Sequence, residues 1–227
     1  TNYPFEEAIA FTVSTDEKVA FPFYLRIPSW TQKAEVRVNG KKVSVTPVAG
    51  KYLCINREWA NGDRVELTLP MSLSMRTWQV NKNSVSYGPL TLSLKIAEKY
   101  VEKDSRETAI GDSKWQKGAD PQKWPTTEIY PDSPWNYSLV LDKKEPLKNF
   151  KVIRKSWPAD NYPFTVASVP LEVKAIGRPV PEWKIDETGL CGVLPEEDAV
   201  KGDKEEITLI PMGASRLRIS AFPNTKE

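Results

Sequence analysis

Hydrophobic and polar residues alternate along several short stretches in the first hundred residues of this chain. Within residues 23–27 the side chains of Phe23, Leu25 and Ile27 share one face, and residues 64–69 repeat this alternation. A period of two is typical of a strand that has one face on a core and the other in water. Strands are therefore predicted over 9–13, 23–27, 35–38, 52–56, 64–69, 73–77, 85–87 and 90–95.

Turn signals separate the strands of the first half, and further strands are predicted in the second half. Asn39-Gly40 and Asn61-Gly62 are strong turn dipeptides, because both residue types tolerate positive φ angles. No stretch of about 11 residues or more shows a helical period, so the sequence predicts an all-β chain. The second-half strands are predicted over 137–141, 150–153, 165–166, 171–175, 183–185, 207–210 and 216–220.

The strand pattern breaks between residues 102 and 135. This stretch is rich in proline and holds Trp115, Trp124, Tyr130 and Trp135. Flexible linkers are poor in aromatic residues, so we predict an ordered loop that packs onto a surface. The predicted organisation is a first β-sandwich domain at 1–101, an aromatic-rich connecting loop at 102–135 and a second β-sandwich domain at 136–227. Each sandwich is expected to be immunoglobulin-like or jelly-roll-like.

The same four aromatic residues, Trp115, Trp124, Tyr130 and Trp135, are the candidate sugar contacts. Sugar rings stack the C–H groups of one face on aromatic planes, and binding residues are often carried by loops. The alternative is that the rings pin the loop against a neighbouring domain, because large aromatic residues also favour interfaces. The sequence leaves both interpretations open.

Charge and hydropathy exclude two classes of partner. The chain has 227 residues and a net charge of +2, from 32 basic and 30 acidic residues that are interspersed. Nucleic-acid binding requires clustered Lys and Arg, and none is predicted. No apolar run approaches the roughly 18 residues of a membrane span, so no membrane partner is predicted either.

The absence of histidine removes several kinds of chemistry. A chain without His cannot hold a Ser-His-Asp triad, a Cys-His dyad or a His metal site. Cys54 alternates with apolar neighbours and is predicted to be a buried thiol. Cys191 is far from it in sequence, and a disulfide between them is left open. Two thiols without His or a CxxC pair make a poor metal site.

Other polar features favour structural roles. Adjacent carboxylates occur at 6–7, 196–197 and 205–206, but neighbours in a strand point to opposite faces, whereas a glycosidase needs a facing pair. Trp30 and Trp59 end strands and are predicted to cap a core. Arg216 and Arg218 are predicted to lie on a solvated face or in an ion pair at a domain interface. Asn136 begins a glycosylation sequon that we attribute to chance.

Several short motifs occur in an order that resembles the C-terminal region of glycoside hydrolase family 127, the β-L-arabinofuranosidase-like enzymes. Tyr87 stands where that family usually has arginine. The motifs span nearly the whole chain, and their order is more specific than any one of them. They are TNYPF at 1–5, LRIPSW at 25–30, VNG at 38–40, WANGD at 59–63, YGPL at 87–90, YPDSPWNY at 130–137 and a closing strand pair at 207–219.

The resemblance implies a parent enzyme in which an (α/α)6 barrel precedes β-sandwich domains. In this family a zinc-bound cysteine thiolate attacks the anomeric carbon and a glutamate serves as acid/base, with retention of configuration. The family's adjacent cysteine pair and barrel ligands have no counterpart in this sequence. The resemblance therefore assigns no catalytic residue here and implies zinc only in the barrel. Because the chain starts with Thr1 rather than Met, we expect it to be an excised piece.

Two functional hypotheses follow from the sequence. In the first, the chain is the non-catalytic C-terminal region of a retaining glycosidase that acts on arabinose-containing plant glycans, and it supports the upstream barrel and supplies a homodimer surface. In the second, it is a carbohydrate-binding module that stacks plant oligosaccharides on the loop aromatics. A third, an immunoglobulin-like adhesion module, explains the strands but not the ordered motifs. The sequence does not give the compartment, and polysaccharide degradation makes a periplasmic or secreted location plausible.

Overall fold

The computed structural model describes residues 1–79, 82–104, 120, 122–196 and 202–226. Within these residues the chain consists of strands, turns and loops, with one short 3-10 turn at Met212–Ala214. The all-β class predicted from the sequence is therefore confirmed. No helix in this part of the chain is long and apolar enough to cross a membrane.

The strands follow the predicted pattern in the first half and depart from it in several places in the second. In chain order they are β1 (Ala8–Thr12), β2 (Val19–Arg26), β3 (Glu35–Val38), β4 (Lys41–Lys42), β5 (Tyr52–Trp59), β6 (Arg64–Thr68), β7 (Leu73–Gln79), β8 (Lys82–Tyr87), β9 (Leu90–Leu94), β10 (Glu98–Lys103), β11 (Thr126–Pro131), β12 (Tyr137–Leu141), β13 (Lys151–Arg154), β14 (Leu171–Pro179), β15 (Glu205–Pro211) and β16 (Phe222–Lys226).

The contacts divide the chain into two compact units, of which the first holds residues 1–76 and 84–91. It contains an antiparallel sheet in the order β1-β6-β3-β4 and a two-stranded antiparallel sheet, β2-β5. Alternation along each strand sends one set of side chains inward, as period-two patterning requires. One buried cluster draws on both sheets: Leu25, Ile27, Val36, Val38, Leu53, Trp59, Val65, Leu67 and Leu69.

Two asparagine-glycine turns join strands of this unit, as predicted, and they are tied to each other. Asn39 and Gly40 have φ angles of 51° and 75°. The Asn39 side-chain amide donates to Asp63 Oδ1 at 2.7 Å, and Asn39 Oδ1 accepts from the backbone N–H of Arg64 at 2.8 Å. The backbone N–H of Ala60 donates to Asp63 Oδ2 at 3.0 Å. The two bonds to Asp63, first the one from Ala60 and then the one from Asn39, hold the pKa of Asp63 below its usual range.

The second unit comprises the described residues within 77–83 and 92–227. Its main sheet comprises the strands β12 to β16 together with residues 82–83 of β8 and 92–94 of β9. The β14 strand pairs with β15 along one edge, and with β13 and then β12 along the other. The β12 strand also pairs with β16, so it has a partner on each edge.

A buried carboxylate joins three segments of the second unit. Glu172 on β14 is 6% exposed, and its Oε1 accepts from the ammonium groups of Lys95 and Lys155, each at 2.6 Å. Burial alone raises the pKa of Glu172, but the hydrogen bonds from Lys155 and Lys95 outweigh it and lower that pKa below its usual value. The carboxylate is therefore charged at neutral pH and ties the ends of β9 and β13 to β14.

Three predicted strands are wrong, and one predicted loop contains a strand. Residues 165–166, 183–185 and 216–220 are not strands. In 216–220 the backbone is bonded elsewhere, because the Ile219 carbonyl accepts from the backbone N–H of Leu94 at 2.8 Å and from Ser93 Oγ at 3.1 Å. Residues 126–131, inside the stretch expected to be a loop, form β11. The predicted domain boundaries after residues 101 and 135 stay a prediction.

Candidate functional site

The hairpin β10–β11 positions the aromatic residues that the sequence singled out. In its antiparallel register Lys99 lies opposite Tyr130 and Glu98 opposite Pro131. The backbone N–H of Asp132 donates to the Ala97 carbonyl at 2.7 Å, which continues this antiparallel register by one pair. The Ala97 N–H donates to Ser133 Oγ at 2.9 Å. The start of the motif at 130–137 therefore lies alongside the residues that precede β10.

Trp135 is the residue of this motif that packs against Trp183. It is half-buried, and its ring meets that of Trp183 edge to face at a centroid distance of 5.1 Å, a favoured aromatic geometry. Trp183 is 4% exposed, and its indole N–H donates to the Cys191 carbonyl at 2.6 Å. The Asn136 side-chain amide donates to the carbonyls of Val180 and Trp183, at 3.0 and 3.1 Å. The sequon asparagine is therefore engaged in structural hydrogen bonds.

A compact loop after Trp183 forms the opposite side of the site. The Asp186 carboxylate accepts from Thr188 Oγ1 at 2.7 Å and from the backbone N–H groups of Thr188 and Leu190, each at 2.9 Å. These bonds, led by that from Thr188 Oγ1, hold the pKa of Asp186 below its usual range. The loop leaves apolar side chains in solvent, since Ile185 is 44% and Leu190 is 65% exposed.

Two adjoining clefts lie between the hairpin, this loop and residues 216–219. The first has a volume of about 220 Å³ and is lined by apolar groups that include Ile96, Trp135 and Leu190. The second has a volume of about 620 Å³ and includes Tyr130 and Glu128 in its lining. The two share Pro131, Ile185, Gly189 and Leu217, so they form one continuous groove. The larger cleft falls within the range of small-molecule sites, about 300–1,000 Å³.

Glu98 fixes the segment that closes the first cleft. Its Oε1 accepts from the backbone N–H of Arg216 at 2.7 Å and of Leu217 at 3.4 Å, and its Oε2 accepts from the Tyr100 hydroxyl at 2.6 Å. Burial raises the pKa of Glu98, but these hydrogen bonds and the positive charge of Arg216 together outweigh burial and lower the pKa below its usual value. The Arg216 guanidinium carbon lies 5.9 Å from the Tyr100 ring centroid, within cation–π range.

The structure brings together two of the four predicted sugar contacts. Trp135 lines the first cleft and Tyr130 the second, and the Tyr130 hydroxyl donates to Glu128. Trp124 is 71% exposed and does not line either cleft. Trp115 lies outside the described residues. Whether any of the four contacts a sugar stays a prediction.

Sequence reasoning missed the residues that complete the groove. Arg216 and Arg218, predicted to lie on a solvated face or in an interface ion pair, are both exposed, and they also line the first cleft. Their alternation with Leu217 was the available signal, but it was interpreted as a strand. The loop at 185–190 gave no signal beyond a turn-forming Asp, Thr and Gly, because its role depends on the packing of Trp183 against Trp135.

The residues present do not fit a zinc centre. Both Cys54 and Cys191 are free and half-buried, so Cys54 is less buried than predicted and the disulfide left open by the sequence is not formed. In the part of the chain that the structure describes, no group of three His, Cys, Asp or Glu side chains is placed to hold a metal ion. Thiolate and imidazole are the usual zinc ligands, and the chain supplies neither in a cluster.

Comparison with known proteins links the chain to one enzyme family. Residues 1–71 match the family described as the middle domain of the GH127 β-L-arabinofuranosidases. No curated protein matches the chain.

Three solved structures resemble the chain, and two of them are described as GH127 enzymes. A GH127 β-L-arabinofuranosidase from Geobacillus stearothermophilus T6 covers 100% of this chain with a TM-score of 0.57 and 22% identity. A structure described as a glycoside hydrolase covers 99% with a TM-score of 0.57 and 22% identity. Another GH127 β-arabinofuranosidase covers 99% with a TM-score of 0.58 and 20% identity. At these identities the likeness establishes the fold. The chain spans 30%, 31% and 31% of those three chains, respectively.

Proposed function

We propose that this chain, a partial member of glycoside hydrolase family 127, is the non-catalytic C-terminal β region of a retaining β-L-arabinofuranosidase that acts on plant glycans. The proposal rests on the share of each chain that the structural matches cover. The chain matches solved family structures over 99–100% of its own length but over only 30–31% of theirs. Its motif residues also serve structural ends, as the Asn136 and Ser133 hydrogen bonds illustrate.

In this proposal the chain supports an upstream catalytic barrel and contributes a homodimer surface. In the same proposal zinc and the nucleophilic thiolate belong to the barrel, as the family resemblance implies. Degradation of plant polysaccharide takes place outside the cytoplasm, so a periplasmic or secreted location belongs to the same proposal.

The direct test is an activity assay on the purified chain. We expect no hydrolysis of an aryl β-L-arabinofuranoside above the buffer blank, with zinc added or withheld. The complete parent protein, assayed alongside, should turn the substrate over and so show that the assay works. Robust turnover of this substrate by the purified chain alone contradicts the proposal.

A second candidate function is glycan binding in the groove. The observation that favours it is the convergence of Trp135 and Tyr130 on adjoining clefts that share four lining residues. Aromatic residues with a few polar neighbours are typical of ligand sites. Titration with arabinan and xylan oligosaccharides, followed by tryptophan fluorescence, should give a saturable change.

A matched pair of variants locates the binding. Trp135→Leu should abolish the saturable change, whereas Trp124→Leu, which removes a tryptophan outside the clefts, should keep it. The absence of a saturable change in the unmodified protein argues against this second function.

A further inference from the structure

The groove separates its charges into a basic end and an acidic end. Arg216 and Arg218 line the first, smaller cleft. Glu128, Asp186 and Glu187 line the second, larger cleft. A ligand that spans both must therefore present negative charge at one end and hydrogen-bond donors at the other, because like charges in a shared site repel.

Arg218 is held in place by the protein but keeps bonding capacity. Its Nε donates to the carbonyls of Ser215 at 2.8 Å and Met212 at 3.2 Å. No carboxylate forms an ion pair with it in the described part of the chain. A guanidinium presents five donors in a planar fork, and its two terminal nitrogens can bind one carboxylate in a bidentate manner. The two carbonyl contacts reduce the entropy that binding would cost.

Arg216 adds a second positive charge to the first cleft. It lies over the Tyr100 ring at 5.9 Å. Glu98, the nearby carboxylate, accepts three hydrogen bonds from Tyr100 and from two backbone N–H groups. The positive charge of Arg216 also attracts the Glu98 carboxylate, but no ion pair between Arg216 and a carboxylate is found in the residues that the structure describes, so its guanidinium can still accept a carboxylate partner in the cleft.

Apart from its two arginines, the first cleft is largely apolar and aromatic. Ile96, Trp135 and Leu217 line the first cleft beside the arginines. A sugar ring fits such a wall, because the C–H groups on one face of the ring pack on aromatic and aliphatic surface while its hydroxyls stay at the edge. A carboxylate on that ring would then reach the guanidinium groups at the rim.

We propose that the groove binds an oligosaccharide through one uronic acid unit, whose carboxylate lies on Arg218 and Arg216 and whose ring packs against Trp135. The neighbouring sugar units are neutral, and their hydroxyls donate to the carboxylates of the second cleft. The proposal rests on the second candidate function above and specifies its ligand class.

Calorimetric titration of the complete chain with three probes tests the charge requirement. The probes are sodium glucuronate, a xylo-oligosaccharide that carries one glucuronic acid branch, and the same oligosaccharide without the branch. We expect the branched probe to bind roughly tenfold to a hundredfold more tightly than the neutral one, which is the scale of a charge-assisted hydrogen bond. This preference should weaken as salt is raised, because the arginines are partly exposed to solvent.

The outcomes separate the two levels of the proposal. Equal affinity for the branched and neutral oligosaccharides overturns the uronate assignment but leaves glycan binding intact. No binding of either overturns both. Binding of glucuronate as tight as that of the branched probe supports recognition of the uronate, and identifies the free sugar acid as a sufficient ligand.

Charge-removing variants provide the second arm. Arg218→Gln should weaken binding of the branched probe roughly tenfold to a hundredfold and leave binding of the neutral probe within about twofold. Arg26→Gln, an exposed arginine in the first unit, is the matched control and should change neither. Arg216→Gln repeats the test should Arg218→Gln unfold. Unchanged affinity of a folded Arg218→Gln variant for the branched probe overturns the proposal.

Discussion

Replacement of Trp59 by phenylalanine tests the account of the first unit most stringently. Trp59 is fully buried, its indole N–H donates to the Phe21 carbonyl at 2.9 Å, and its ring lies 5.7 Å from those of Phe21 and Phe23. Phenylalanine keeps the aromatic contacts but removes the donor and leaves roughly 40 Å³ unfilled, which costs about 1 kcal/mol. Loss of the hydrogen bond costs about another 1 kcal/mol.

We therefore expect Trp59→Phe to lower the free energy of unfolding by about 2 kcal/mol. Urea denaturation at 25 °C, followed by far-ultraviolet circular dichroism, measures this change. Trp124→Phe makes the same substitution at a side chain that is 71% exposed, and should shift stability by less than about 0.5 kcal/mol. Equal effects of the two substitutions would refute the reasoning, because burial and the bond to Phe21 would then carry no weight.

Two more predictions concern the buried carboxylate and a strained glycine. Glu172→Gln should cost about 2 kcal/mol at pH 7, because two lysines lose their shared anion. The pKa of Glu172 is lowered on folding, so this contribution to stability is present above its unfolded pKa of about 4.3 and is lost as the pH falls through the folded pKa. Urea denaturation of wild type and variant at pH 7 and at pH 3 measures the difference, and a difference in unfolding free energy that is the same at both pH values contradicts the prediction. Gly88→Ala should destabilise more than Gly62→Ala in thermal melts. Both glycines have positive φ, but only at Gly88 would a Cβ lie 2.6 Å from Met71 Cγ, and equal melting temperatures contradict this.

The first unit was largely predictable because its signals are local. Alternation in 23–27 and 64–69 gave the inward faces of β2 and β6, and the two Asn-Gly dipeptides gave the turns. The bonds between Asn39 and Asp63 were not predictable, because they depend on the register of β3 against β6. Local pattern fixes which face is buried, whereas register follows from the assembled sheet.

The second unit was predicted less well because its contacts are remote in sequence. The strand β11 lies in a stretch interrupted by prolines. Because of these prolines the stretch was predicted to be a loop, despite the β-branched residues within 126–129. The alternation of Leu217 and Ile219 suggested a strand, yet residues 93, 94 and 98 supply the hydrogen-bond partners of that segment. Long-range partners of this kind leave no periodic trace.

The groove was predicted in part for the same reason. Tyr130 and Trp135 were singled out because aromatic residues in an irregular stretch need a surface to pack on, and both line the clefts. The arginines opposite them come from a segment more than 80 residues later in the chain. Both arginines are exposed, and their position at the cleft follows from the bonds of Glu98 to the backbone of Arg216 and Leu217.

The central claim is that this chain is an accessory region of a larger family 127 glycosidase. The intact mass of the native gene product, measured by mass spectrometry on protein from its source cells, tests the claim most directly. We expect a mass about three times the 25.7 kDa of this chain, because the chain spans 30% and 31% of the two solved GH127 structures. A mass near 25.7 kDa would contradict the account and make glycan binding in the groove the leading function.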